Sequence, residues 1–384
     1  MIFQAVGAWY KPGDVWRHLC VHGRESDRVA LIQQLGERYH GTATLYHKGR
    51  AALAEAVRIA TGGSGEVAVS GLTCYSLIQA VEAAGCTPVY VDIREKDLHF
   101  SAKELTTALK KHPHVKAMVV QNMLGLPADI AGLEKLAKKQ GIAIIEDLAH
   151  SAGARYTDGR EVGTVGDVTI LSFGRDKALD VVNGGALIVR GVEVEAPTTR
   201  VPMKDQFRDR LYPLIAAMSR LYYPVGKYMM AAAIRAHVVI RSADGEVDVT
   251  QTMPKWQARL ALRQVQRLDA TVEQRRTVAA LYEKHLAVPV IAVADGASPI
   301  RVPLLHDTRD MVVQRLMLAG VQANDIWYDT VVSPHRYLYR VDYPADECPV
   351  AVRVADQLLN VPTHQRMTEA HVKKIAAIIN KGRA

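Results

Sequence analysis

Between about residues 50 and 190 the chain interleaves short apolar runs with segments of helical periodicity. The runs cover 67–69, 88–91, 117–121, 142–145, 168–171 and 186–189, and the helical patterns cover 51–60, 77–84 and 130–139. A strand without polar alternation is buried on both faces, and buried strands interleaved with helices build a mainly parallel sheet covered by helices. Gly85 stops the pattern 77–84, and the pattern 130–139 lies between Asp129 at its N-cap position and Gly141 at its stop. The expected class is therefore α/β. In such sheets ligands sit beyond the carboxyl ends of the strands. Tyr75, Asn122, Asp147 and Ser172 fall there.

At 384 residues the chain exceeds a single small core. The boundary is expected near residue 250, with a large domain over 1–250 and a smaller α+β domain over 251–384. The second part shows a long helical pattern over 254–286 with a break, a strand over 301–304, and helices over 310–318 and 368–379. A net charge of +8 favours anionic partners, yet no Lys/Arg run marks a nucleic-acid tail, and no nucleic-acid partner is expected. Cys20, Cys74, Cys86 and Cys348 are too scattered for a disulfide framework and fit a reducing cytosol. The N-terminal segment lacks a signal-peptide core, and no stretch has the length of uncharged residues that a span requires.

The segment 204–240 stands apart. Its apolar runs are interrupted by Arg208, Arg210, Arg220, Lys227 and Arg235, with acidic residues only at Asp205 and Asp209. It reads as two amphipathic helices broken near Pro224–Gly226, packed on the core or on a partner subunit. The alternative is a helix lying in the plane of a membrane surface.

Lys177 lies in SFGRDKALDVVNGGALIV, just after the run 168–171. A lone loop lysine is ordinarily a solvated charge. Here Ser172 closes the preceding strand, the turn signal Asn183–Gly184–Gly185 follows, and Asp147 ends a neighbouring apolar run. These are the parts that pyridoxal-phosphate (PLP) chemistry requires. An amine forms an imine with an aldehyde. A carboxylate keeps a proton on the pyridine nitrogen. Hydroxyl, backbone amides and a cation hold a phosphate.

Five motifs then occur in order. They are Gly125–Leu126–Pro127–Ala128–Asp129, Ile145–Glu146–Asp147, Gly166–Asp167, Ser172–Phe173 with Lys177, and Gly184–Gly185–Ala186. Together they resemble the DegT/DnrJ/EryC1/StrS family of sugar aminotransferases, with weaker similarity upstream to about Leu45 and downstream over 254–379. The resemblance implies a fold-type I PLP-dependent transferase, with pyridoxamine 5'-phosphate as the other cofactor form and no metal. It implies Lys177 as the Schiff-base lysine and proton carrier, Asp147 on the pyridinium nitrogen, His150 near the phenolic oxygen, and Ser172 on the phosphate. Lys48–Gly49–Arg50 stand where the family commonly has S-G-T, so Gly49 and Arg50 are expected at the phosphate, charge replacing a hydroxyl. Thr250–Gln251–Thr252–Met253 stand where the family has an Asn and an Arg contributed by the partner subunit. Cys74 follows Thr73 where an aromatic usually stacks on the cofactor ring, which leaves Tyr75 as the expected ring. Active sites of this fold form between two subunits, so a homodimer is implied.

The expected activity is amino transfer, from a small-molecule donor such as glutamate to a keto carbon of a nucleotide-linked sugar, in the cytoplasm. Dehydratases of the same fold replace the lysine by His, and Lys177 argues against that class. A non-catalytic regulatory or scaffold relative would have no use for the Lys177–Asp147 pair. A further alternative is a lipid-linked or hydrophobic substrate, with the enzyme peripheral on the inner face of a membrane through 204–240.

Overall fold

The computed structural model describes residues 1–5, 7–291, 293 and 295–381. Among them one large sheet runs in the order Cys86–Val91, Gly65–Ser70, Val115–Gln121, Ala143–Asp147, Val168–Ser172, Gly185–Val189 and Thr42–Tyr46, with the short strands Gln251–Thr252 and Thr199–Arg200 at its edge. The first five strands are mutually parallel, and Gly185–Val189 is antiparallel to both neighbours. The α/β class expected from the apolar runs is the one found.

Successive side chains alternate across the sheet and build two apolar layers. Val67, Val119 and Ile145 enter one, with the helix Gly49–Thr61. Ala68, Met118 and Ile144 enter the other. The strand Thr42–Tyr46 carried no apolar run that announced it, since its Thr residues alternate with Ala43 and Leu45. Helices Pro12–Cys20, Glu25–Tyr39, Ala102–Lys111 and Pro349–Gln357 also lie outside the sequence-based set. The long pattern over 254–286 is two helices, Lys255–Val265 and Leu268–His285. Asp129 precedes Ile130–Gln140 but makes no side-chain cap, and just before it the Ala128 N–H donates to Asn122 Oδ1 at 2.9 Å.

A second apolar core gathers Tyr282, Val302, Leu304, Leu316, Val361 and Ile375. Its strands Arg301–Leu305 and Leu358–Pro362 pair antiparallel, and Ile2–Phe3 pairs in parallel with Val321–Gln322. The first residues of the chain thus join the second core. The two parts touch at Gly125, whose φ is +88° and whose absent Cβ would lie 1.9 Å from the Ser298 carbonyl oxygen. The Ser298 N–H donates to Gly125 O at 2.8 Å, so this glycine is required by both its backbone angle and a close approach.

The segment 204–240 folds as Met203–Leu221 and Gly226–Arg235, with the break where Pro224–Gly226 placed it. Its first half is anchored. Asp209 is buried and accepts from Asn183 Nδ2 at 2.7 Å and Gln257 Nε2 at 3.2 Å, with His47 Nε2 at 3.1 Å. No helix among the described residues is long and apolar enough to cross a membrane.

Candidate active site

The carboxyl ends of the parallel strands deliver Asn122, Asp147 and Ser172 to one edge of the sheet. Thr42–Tyr46 ends on the same edge and runs through His47 and Lys48 into the helix at Gly49. Gly185 is pressed against this turn, since a Cβ there would lie 2.7 Å from Gly49 Cα. The loop 173–184 crosses the edge and carries Lys177.

That loop is fastened by Asp180. Its carboxylate is fully buried and accepts from Tyr10 O–H at 3.0 Å, Trp9 Nε1 at 3.1 Å, Asp176 N–H at 2.9 Å and Val182 N–H at 2.8 Å. Gln264 adds a pair of bonds to the backbone of Asp180, at 2.8 and 2.6 Å. The loop is therefore built partly from the N-terminal segment, a contact that sequence spacing gives no means to see.

Lys177 Nζ lies 2.7 Å from His150 Nε2. It also stands 4.8 Å from the centre of the Trp327 ring, on which His150 stacks at 4.7 Å. The Leu124 N–H donates to His150 Nδ1 at 3.2 Å, and Tyr328 O–H lies 3.3 Å from the same nitrogen. A backbone N–H can only donate, so Nδ1 carries no proton and a neutral ring carries it on Nε2. The Lys177–His150 contact is then a hydrogen bond only if the lysine nitrogen accepts, as an uncharged amine. The electrostatics agree. Burial pushes Lys177 below the usual lysine range, with Arg301 adding to the effect and Cys74, Asp147 and Asp176 opposing it. Burial also depresses His150, and the charge of Arg301 adds to it.

Asp147 is buried, and burial pushes its carboxyl up, against the Ala149 N–H at 2.8 Å, Lys177 and the Gln121 side chain. Thr73 Oγ1 donates to Gln121 Oε1 at 2.7 Å and so orients that amide. An acceptor of this kind is suited to a proton-bearing pyridine nitrogen. Its neighbour Glu146 points to the opposite side. It is fully buried and accepts from Tyr156 O–H at 2.6 Å and from the N–H groups of Gly163, Val165 and Gly166 at 2.7, 2.8 and 2.5 Å. The two adjacent carboxylates of one motif thus divide between scaffold and site.

Ser172 Oγ lies where a Cβ on Gly49 would come within 2.7 Å, so the glycine opens space beside the hydroxyl. The first N–H groups of Gly49–Thr61 have no intrahelical acceptor and favour an anion there. Arg50 is buried, with its guanidinium turned to Gln79 Oε1 at 3.0 Å and to the Asp244 carbonyl at 2.6 Å, and its Nε without a partner. Lys48 is pushed below its usual range by burial and the nearby charge of Arg50. Amine, buried carboxylate, serine hydroxyl and helix terminus together match the aldehyde, ring nitrogen and phosphate of PLP.

Tyr75 is not grouped with these residues. Its ring stacks on Tyr337 at 4.8 Å and 7°, and Tyr337 O–H bonds the side chain of Asp244. Beside Lys177 stand instead Cys74, from the start of that segment, and the Trp327 ring, while Tyr328 bears on His150; Trp327 and Tyr328 pack in the same apolar layer as the helix Gly49–Thr61. Arg301 packs on the Trp327 ring at 4.3 Å and is held by Asn360 Oδ1 at 2.9 Å and Asp325 Oδ2 at 2.8 Å. Trp327 carried no local motif, and only its place in three dimensions identifies it.

The chain is similar to known proteins over most of its length. An enzyme of Acidithiobacillus ferrooxidans named UDP-N-acetyl-3-dehydro-alpha-D-glucosamine 3-aminotransferase is 26% identical over 340 residues, covering 87% of this chain and 82% of its own. The dTDP-3-amino-3,4,6-trideoxy-alpha-D-glucose transaminase of Micromonospora megalomicea is 26% identical over 381 residues, covering 91% and 93%. Among solved structures, the PLP-form of a protein of Streptococcus pneumoniae described as a sugar aminotransferase superposes with a TM-score of 0.73 at 17% identity, covering 100% of this chain and 99% of that one. Residues 30–380 match the family described as DegT/DnrJ/EryC1/StrS aminotransferases, and the chain belongs to that family of PLP-dependent enzymes.

Proposed function

We propose that this aminotransferase moves an amino group from glutamate to a keto carbon of a nucleotide-linked sugar. The relatives' names support the sugar, and the observation that carries the chemistry is the 2.7 Å contact between Lys177 Nζ and His150 Nε2. When bound, PLP supplies the aldehyde that takes up the amine and a ring that accepts electrons from the substrate carbon.

The remaining roles belong to the chain. Lys177 starts as a free amine, the form able to attack an aldehyde, and later carries a proton between the substrate carbon and the cofactor carbon from the same position. His150 keeps that nitrogen uncharged and oriented. Asp147 holds the proton on the ring nitrogen. Ser172 Oγ and the N–H groups of Gly49 and Arg50 hold the phosphate, with Lys48 and Arg50 supplying positive charge nearby. Trp327 flanks Lys177 and limits water around the amine. The reading includes a cofactor-binding part up to about residue 250, a smaller part after it, a homodimer, and a cytoplasmic location.

Absorbance spectroscopy tests the reading. The wild-type protein with PLP should show a visible band that glutamate discharges and a keto-sugar nucleotide restores. Lys177→Ala should lack the lysine-linked band while retaining its fold. A wild-type protein that gains no band with PLP would overturn the proposal.

A further inference from the structure

On another part of the surface a groove of about 910 Å³ opens between Pro12–Cys20, Met203–Leu221 and the segment around Met367. Its walls include Phe3, Trp16, Leu19, Leu221 and Met367. Arg220 and Arg366 also line it, and both donate to one acceptor, the Tyr10 carbonyl, at 3.2 and 3.3 Å. Neither arginine has a carboxylate partner within ion-pair distance among the described residues. Arg220 Nε and Nη1 are buried without any partner.

Two guanidiniums converging on one carbonyl repel each other, and buried unpaired donors are disfavoured. Burial and the charge of Arg366 both push Arg220 down, while Asp176, Tyr212 and Tyr10 oppose them. The arrangement is completed by an anion with several acceptor oxygens, and phosphate meets that geometry. The walls ask for something else, an apolar chain.

The rim continues both themes. Trp16 is 68% exposed and Leu221 72%, and beyond them Val225 and Tyr228 are exposed at 63% and 65%. From Arg210 to Ala243 the sequence has no Asp or Glu, but it has Arg210, Arg220, Lys227, Arg235 and Arg241. Arg241 faces Asp244 and Arg210 is turned onto the carbonyls of His18, Leu19 and Val21, but apolar and aromatic residues beside Arg220, Lys227 and Arg235 suit the interface of an anionic bilayer. A two-fold contact of this patch with itself would set like charges against each other.

We propose that the groove is a lipid site. Arg220 and Arg366 hold the phosphate of an anionic phospholipid, the groove takes the start of its acyl chain, and the exposed tip of the helix pair lies in the bilayer interface around it. The groove meets the Lys177 loop through Tyr10 and the charge of Asp176, so vesicle binding and the PLP band are read as two independent measurements.

Flotation of the full-length PLP-loaded protein with vesicles decides the matter. Binding is expected to phosphatidylcholine vesicles containing phosphatidylglycerol and not to phosphatidylcholine alone. Arg220→Gln with Arg366→Gln should lower binding by about tenfold or more. Leu221→Asp, an exposed change that leaves the fold untouched, should do the same. The visible PLP band and the oligomeric state should be unchanged in both. Three results would overturn the proposal: no binding of wild type to anionic vesicles, binding that survives both changes, or an altered oligomeric state with vesicle binding intact. Binding of inorganic phosphate at the arginines without vesicle binding would likewise reduce the site to a soluble-anion site.

Discussion

The Lys177–His150 contact makes the proton on Nε2 a structural necessity, because Leu124 N–H occupies the other nitrogen. A lysine held as an acceptor is uncharged at a pH where an ordinary lysine is not. The midpoint for reaction of Lys177 with an amine-specific label, followed by mass spectrometry on the cofactor-free chain, should therefore lie below the usual lysine range. The sign follows from the direction of the shift, since reactivity is lost as pH falls through the lowered value. His150→Leu should move the midpoint up, because the donor to the lone pair is gone. An unchanged midpoint would show that burial alone sets it. Lys177, Asp147, His150 and Ser172 were legible as residues because motif spacing names them. The orientation of Arg50, the stacking of Tyr75 on Tyr337 and the presence of Trp327 were not, because they depend on contacts between segments far apart in the chain.

At the level of elements, the same motifs divide into chemistry and scaffold. Glu146 fixes the 163–166 turn, and Gly125 sets the contact with Ser298. Gly125→Ala would combine a disfavoured backbone angle with a backbone collision. It should cost about 2 kcal/mol or more, seen as a fall of about 2–3 °C or more in the thermal midpoint. A midpoint within a degree of wild type would show that the two parts yield easily there. The sheet was legible because its central strands are buried on both faces. Thr42–Tyr46 and the helices with stronger charge content were hidden by ordinary polar alternation. The helix pair of 204–240 was legible as a pair, but its anchoring through Asp209 was not, since His47, Asn183 and Gln257 come from three separate segments.

Over the whole molecule, the N-terminal segment links the second core to the Lys177 loop. Ile2–Phe3 pairs with Val321–Gln322, and Trp9 and Tyr10 bond Asp180 a few residues later. Trp9→Phe with Tyr10→Phe removes two donors from a buried carboxylate. At about 1 kcal/mol each the loop should loosen, and PLP retention should fall by about tenfold, measured by cofactor titration. Unaltered retention would mean that Gln264 and the loop backbone suffice. The pairing of Ile2 with Val321 also sets a schedule for the ribosome. Synthesis at 5–20 residues per second leaves the first strand waiting roughly 15–60 s for its partner. During that interval Ile2 and Phe3 have no finished place, whereas Trp9 and Tyr10 meet Asp180, Tyr212 and Val239 earlier, so the lysine loop is secured before the strand that begins the chain.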